Sequence, residues 1–130
     1  MNTTLPMQAM AGAACLLAAL HAPPASAQPT EFPPDAVPLT EASLDALAGK
    51  RYVGQTQGGH WRQMDFGPDR SYRVSFRNGI LDGKLRLEGD KLCQDMRKTI
   101  ESSCNEVRVK DNQLFYKRVY NGEVITLVAQ

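Results

Sequence analysis

The chain has 130 residues, enough for one domain and too few for a second hydrophobic core. It carries 15 Lys and Arg residues against 14 Asp and Glu residues, a formal net charge of +1. That balance argues against nucleic acid or an anionic membrane as a partner.

The first predicted element is a signal peptide at residues 1–27. This segment contains no Asp, Glu, Lys or Arg, and its apolar stretch, residues 7–20, is too short to span a bilayer as a permanent helix. Pro23 and Pro24 would break a helix, and Ala25-Ser26-Ala27 matches the small-x-small pattern that signal peptidases accept. We therefore expect cleavage near Ala27 and a periplasmic or secreted protein. The alternative is an uncleaved N-terminal anchor helix.

Cleavage of the predicted signal peptide decides which cysteines are left to form a disulfide. Cleavage would remove Cys15, for which lipidation is the alternative fate, and would leave Cys93 and Cys104. In an oxidising compartment these two residues should pair, and a bond that closes so short a loop would stabilise the fold by about 3 kcal/mol. A metal site is the weaker alternative, because neither cysteine has a CxxC partner and His60 is the only histidine after the signal.

Residues 28–38 are predicted to be a Pro-rich linker. The prolines in this stretch hold the chain extended and remove backbone donors that a β-sheet would need. We expect a passive spacer in front of a single β domain at residues 39–130. The alternative is an extended arm that docks on a partner.

One short helix is predicted at residues 41–48. Thr40 can cap its first turn and Gly49 can end it. Leu39 and Leu44 have the spacing of a hydrophobic staple, which fixes the entry of the chain into the helix. The helix is too short to be stable alone, so its apolar face should pack across a barrel end or a sheet edge.

After Gly49 the pattern changes to short β segments separated by turn residues. Apolar Tyr72, Val74 and Phe76 alternate with polar residues, which indicates strands with one buried face, and the short connections make neighbouring strands antiparallel. We predict a mainly β fold, a small antiparallel up-and-down β-barrel or sandwich of about eight strands with one short N-terminal helix. The strands are expected at residues 51–56, 60–66, 71–77, 84–88, 91–96, 104–110, 113–120 and 124–129.

Several short motifs occur in order along the chain. They are Leu39-Thr40, Leu44, Leu47, Gly49-Lys50, Gly59-x-Trp61, Phe66-x-Pro68-Asp69, Gly83, Gly89-Asp90-x-Leu92-Cys93 and Cys104. Together they resemble the small exported β domains of proteobacteria, an uncharacterised group that is lipocalin-like in look. The resemblance implies a β-barrel and no established chemistry. The chain departs from it at Arg70, where such proteins often have glycine, and at Leu85, where they often have tryptophan.

Catalytic groups are scarce after the predicted signal. No serine lies in a GxSxG context, and the glycines form neither a GxGxxG motif nor a P-loop. The aspartates, Asp69 and Asp90 among them, lie beside turn residues, where aspartate supports the turn through local hydrogen bonds. His60 alone cannot form a metal site or a triad. We therefore expect no catalytic residue, no metal and no cofactor.

Two groups of residues are candidate binding elements. The stretch between the predicted disulfide cysteines is long for a hairpin loop, which makes it the candidate partner loop with Met96, Arg97, Lys98 and Ile100. The interior of an eight-stranded barrel is either filled by side chains or holds one small ligand. The candidate ligand wall consists of Trp61, Tyr72 and Phe76.

These features favour an exported, non-enzymatic binding domain. The first hypothesis is a protein-binding domain, inhibitor-like or immunity-like, whose partner is another exported or envelope protein. The second is a lipocalin-like carrier of a small apolar ligand. A structural envelope component of unknown role is a third. A hydrolase that uses His60 is the least favoured.

Overall fold

The computed structural model describes residues 29–97 and 102–130, so the predicted signal peptide, Lys98 and Ile100 lie outside the described residues. In chain order the elements are the strand β1 (Val37–Pro38), the helix α1 (Glu41–Asp45), β2 (Arg51–Gln55), β3 (Trp61–Phe66), a 3-10 turn (Pro68–Arg70), β4 (Ser71–Phe76), β5 (Gly79–Glu88), β6 (Lys91–Met96), β7 (Ser102–Lys110), β8 (Gln113–Lys117) and β9 (Val124–Ala129). Within these residues no helix has the length and apolar character that crossing a membrane requires.

The strands β2 to β9 form a closed barrel. Each pairs antiparallel with the next along the chain, and β9 pairs back with β2, with Gly54 opposite Leu127. The predicted antiparallel up-and-down barrel with one short helix is confirmed. Closure leaves none of these eight strands as a free sheet edge, which removes a site of strand-to-strand aggregation.

The alternation predicted for the strands is also confirmed. Tyr72 and Leu85 are buried in the main core, and Val74 and Leu87 pack against it. Outward positions between them, such as Arg73, are exposed. The period of two thus places one row of each strand inside the barrel.

The helix α1 closes one end of the barrel, which we call the closed end. Thr40 caps it, since the Ser43 N–H donates to Thr40 Oγ1 over 3.1 Å. Leu39, Leu44 and Leu47 are all buried in the main core. At the opposite end, where β2, β4, β6 and β8 finish, the described part of the chain has no such helix, and we call it the open end.

Three element boundaries differ from the prediction by three residues or more. The strand β5 begins at Gly79 instead of residue 84, because Gly79 already pairs with Phe76 across a two-residue turn. The strand β8 ends at Lys117 instead of residue 120, because the Gly122 N–H donates to the Arg118 carbonyl and closes a turn there. The helix ends at Asp45 instead of residue 48, since the following residues form tighter turns.

The segment predicted as a passive spacer lies against the barrel. Val37 pairs with Val109 on the edge of β7 beyond the last pair that β7 makes with β6. Ala36 is buried and Phe32 packs beside it, with the Arg108 guanidinium 4.6 Å from the Phe32 ring centroid. The spacer interpretation is therefore wrong for residues 29–38, which belong to the domain.

The predicted disulfide joins Cys93 in β6 to Cys104 in β7. The two residues are directly opposite each other in the strand pair. Their side chains project outward, because Leu92 and Gln94 on either side of Cys93 are the inward residues of β6. The bond therefore clamps the β6–β7 hairpin from outside the barrel.

Candidate functional site

A cavity of about 180 Å³ enters the barrel from its open end. The interior near the closed end is filled by large side chains, and Tyr52 and Phe66 contact edge to face with ring centroids 5.7 Å apart. Nearer the open end the interior is not filled. The cavity is lined by Arg62, Met64, Val74, Phe76, Leu81, Gln94, Tyr116, Ile125 and Leu127.

Tyr116 is held in the cavity wall by a polar network. Its hydroxyl donates to Asn105 Oδ1 over 2.6 Å, and the Ser103 hydroxyl donates to the same oxygen over 3.0 Å. Asn105 in turn donates from Nδ2 to the Lys117 carbonyl over 3.0 Å. Burial raises the pKa of Tyr116, so its hydroxyl stays protonated at neutral pH.

Arg62 is the cation of the cavity wall. It is inward-facing and partly buried, and among the described residues its side chain forms no ion pair. Burial lowers the pKa of Arg62 and the neighbouring Arg118 charge lowers it further, while Tyr116 and Glu123 oppose that shift. A guanidinium remains charged under these conditions, so the wall presents a positive charge beside apolar side chains.

Glu123 ties two open-end connections together. Its carboxylate is buried and accepts from the Gln57 N–H over 2.7 Å and from Arg118 Nη1 over 3.0 Å. Asn121 also donates to it, over 3.4 Å. Burial alone would raise the pKa of Glu123, but these hydrogen bonds outweigh it and hold the pKa below the ordinary value of 4.5.

Replacing this carboxylate by an amide is expected to destabilise the open end. Glu123→Gln should lower the free energy of unfolding at pH 7 by about 2 kcal/mol, because buried donors lose a charged acceptor. Since the folded pKa is depressed, wild-type stability is present above pH 4.5 and is lost as pH falls through the folded value. The difference between the two proteins should therefore shrink below pH 4.5, measured by urea unfolding across pH.

The matched control for this prediction is Glu106→Gln, an amide change at a less buried strand position. It should leave the free energy of unfolding within about 0.5 kcal/mol of wild type. Equal losses in the two variants, or a Glu123→Gln deficit that does not change with pH, would contradict the assigned role of Glu123.

The three predicted wall residues occupy different places. Phe76 lines the cavity. Tyr72 is buried one inward position deeper, where its hydroxyl has no hydrogen-bond partner among the described residues. Trp61 is 60% exposed, so its assignment to the wall is wrong. It precedes the inward residues Arg62, Met64 and Phe66, and alternation therefore turns it outward.

The described half of the predicted partner loop lies at the open end. Met96 is the last residue of β6 and pairs with Gly83, while Arg97 is exposed and its N–H donates to the Asp82 carbonyl over 2.9 Å. Lys98 and Ile100, named above, fall outside the described residues. The loop as a partner surface stays a prediction.

The described residues that could serve in catalysis or metal binding are weakly placed for it. His60 is exposed in the β2–β3 connection, and its N–H donates to Thr56 Oγ1 over 3.3 Å. Glu88 lies beside Cys93 and Cys104, but the sulfur atoms of those cysteines are bonded to each other and are not thiolate ligands. Neither the surroundings of His60 nor the group at Glu88 brings together a nucleophile, a base and an oxyanion donor among the described residues.

Sequence reasoning missed Arg62 and Gln94 as cavity residues. The signal for Arg62 was present, because apolar Met64 and Phe66 set the inward register of β3 and place residue 62 in the same row. Comparison of the chain with protein-family models, with curated proteins and with solved structures finds no match.

Proposed function

We propose that this domain is a non-enzymatic carrier or sensor of a small, largely apolar molecule bearing an anionic group. The observation that carries the proposal is the open-ended cavity, whose apolar wall includes one partly buried cation, Arg62, that forms no ion pair with the residues the structure describes. Ligand sites of barrels have this general form, an apolar body with a few oriented polar groups.

The volume of the cavity limits the size of the buried part of the ligand. A cavity of about 150 Å³ in another protein admits a benzene ring. The cavity of about 180 Å³ therefore matches one ring or a short branched chain. A larger ligand would extend through the open end, where nothing among the described residues covers it.

The polar groups define the chemistry of the ligand head. Arg62 donates planar pairs of N–H groups, which suit a carboxylate or a phosphate. Glu123 is already occupied by Arg118 and backbone donors, so it does not neutralise Arg62 by an ion pair. A hydrogen bond to a charged group contributes about 1.5 to 3 kcal/mol, which corresponds to about 10- to 150-fold in affinity.

The test is an NMR titration of the protein with benzoate and, separately, with benzamide. Both have one ring, and they differ in the charge of the head group. Benzoate is expected to shift the amide signals of β3, β4 and β9 and to bind more tightly than benzamide. Arg62→Met should weaken benzoate binding about tenfold or more and leave benzamide binding nearly unchanged.

The matched control is Arg73→Met, which removes an outward arginine from the adjacent strand and leaves the cavity untouched. It should bind benzoate like the wild type. The proposal would be wrong if benzoate shifted the amide signals of Arg62→Met and Arg73→Met equally. It would also be wrong if the shifted signals all came from residues on the barrel exterior. A filled cavity supplies a second check, since Val74→Phe should abolish binding of both probes.

The protein-binding hypothesis and the exported location stay predictions. The exposed half of the candidate loop and the open end share one side of the barrel, so a protein partner would compete with ligand entry there. Export is supported by the Cys93–Cys104 bond, because disulfides persist in oxidising compartments.

A further inference from the structure

Large apolar side chains are exposed around the open end. Trp61 is 60% exposed, Ile80 62%, Val119 79% and Tyr120 88%. Phe76 and Leu81 belong to the same set with smaller exposure, and we call these six residues the apolar rim. Elsewhere in the described chain only Val37 and Val128 are large, apolar and exposed. Such concentration marks an interaction surface.

The apolar rim has two arcs on opposite sides of the mouth. One arc comes from the start of β3 and from the β4–β5 hairpin, and includes Trp61 and Ile80. The other is the β8–β9 connection, with Val119 and Tyr120. Four strand positions separate the β4–β5 hairpin from the β8–β9 connection in the eight-stranded barrel, so the two face each other across it. A flat partner can touch both arcs together, whereas a single peptide would reach one.

Positive charge accompanies the apolar rim. Arg62, Arg77 and Lys117 lie at the open end and form no ion pair among the described residues. The nearby carboxylates Asp82 and Glu123 face Arg97 at 3.9 Å and Arg118 at 3.0 Å respectively. Within residues 29–97 and 102–130, the open end therefore presents cations that no carboxylate pairs with.

The closed end has the opposite character. Arg70 there bridges Glu41 and Asp45, and Lys110 is paired with Asp35. The overall charge of +1 therefore includes closed-end charges that are paired with one another, and it does not describe the open end. Composition argued against an anionic surface as a partner only because it cannot resolve this polarity.

We infer that the open end docks on an anionic lipid surface, with the apolar rim in the headgroup layer and Arg77 and Lys117 beside lipid phosphates. Aromatic and aliphatic side chains together with cations are the combination that interfacial binding requires. Each Lys or Arg near such a surface contributes about fivefold in affinity. Docking in this orientation turns the mouth of the cavity toward the lipid.

The test is co-sedimentation of the full chain with vesicles of phosphatidylcholine alone or mixed equally with phosphatidylglycerol. Wild type should partition onto the mixed vesicles, and added salt should weaken this. Arg77→Glu with Lys117→Glu should reduce partition about tenfold or more. Ile80→Ser with Tyr120→Ser should also reduce it. Arg62 is intact in every variant, so this result is independent of ligand binding in the cavity.

The matched control is Lys50→Glu with Lys84→Glu, which changes the net charge equally but at exposed positions of the closed end. This control should partition within about twofold of wild type. All variants carry the same N-terminal segment, so that segment contributes equally to partition in each of them. Equal losses from the two double charge reversals, or equal binding to both kinds of vesicle, would overturn the inference. Binding of a protein to the apolar rim, with no binding to either kind of vesicle, would also overturn the inference.

Discussion

Gly83→Ala is expected to destabilise the domain by about 3 kcal/mol or more, although it adds a single methyl group. Gly83 faces inward on β5, between Tyr72 on β4 and Met96 on β6. A Cβ atom at this position would overlap the Asp95 carbonyl oxygen and would lie 3.1 Å from the Met96 Cα. Backbone atoms cannot rotate away, so β5 and β6 would have to separate. Urea unfolding followed by circular dichroism measures the loss.

The control for this prediction lies in the same strand. A Cβ atom on Gly79 would meet only the Phe76 ring, at 3.8 Å, an ordinary contact distance. Gly79→Ala should therefore stay within about 0.5 kcal/mol of wild type. If both alanine variants lost similar stability, the effect would come from glycine flexibility in β5 and not from the close approach of β5 and β6.

The barrel could be predicted from the sequence because its signals are local. Alternating residues such as Tyr72 and Val74 set the inward face, and turn residues set the short connections, so the antiparallel order followed. Thr40 and Leu44 identified the helix start for the same reason. The predicted start of β5 was wrong because the glycines at 79 and 83 resemble turn residues, whereas both lie within the paired strand.

Packing of the N-terminal segment could not be predicted because it depends on a distant edge. Val37 and Pro38 continue the β7 edge at Val109 and Arg108, about 70 residues further along the chain. The prolines predicted an extended backbone, which Val37 and Pro38 have after a turn at Pro34 and Asp35, and an extended chain can also lie along an exposed edge. The salt bridge between Asp35 and Lys110 adds to that contact.

One departure from the resemblance has a physical reading. The resemblance predicted glycine at the position of Arg70, and the Arg70 backbone has a φ of 58°, in the left-handed region that glycine adopts without strain. In exchange, its side chain reaches Asp45 and Glu41 and holds the helix on the closed end. The sequence alone contained the substitution but not the conformation that explains it.

The cavity and the charge polarity also required three-dimensional information. Arg62, Gln94 and Tyr116 come from three strands and meet only because the barrel closes. Trp61 was predicted to line the interior because it is a large aromatic residue, but it faces outward from β3. Residue type identified a candidate, while the register of the strand decided its direction.

Replacement of Cys93 and Cys104 together by alanine is expected to cost about 3 kcal/mol of unfolding free energy. The bond closes a loop with a sequence separation of 11, so its loss returns conformational freedom mainly to the unfolded chain. Cys93 is also fully buried, and alanine there leaves a small void. The inward neighbours Gln94 and Asn105 belong to the same hairpin, so benzoate binding should weaken with it.

Reduction of the wild type by dithiothreitol is the companion measurement, and its stability should fall to near that of Cys93→Ala/Cys104→Ala. The double variant itself should not respond to the reductant, which separates loss of the bond from general effects of the reagent. A wild type that loses less than about 1 kcal/mol on reduction would contradict the role of the clamp. Two free thiols at Cys93 and Cys104 in protein isolated from its native cells would overturn the proposed export, because an oxidising compartment should have joined them.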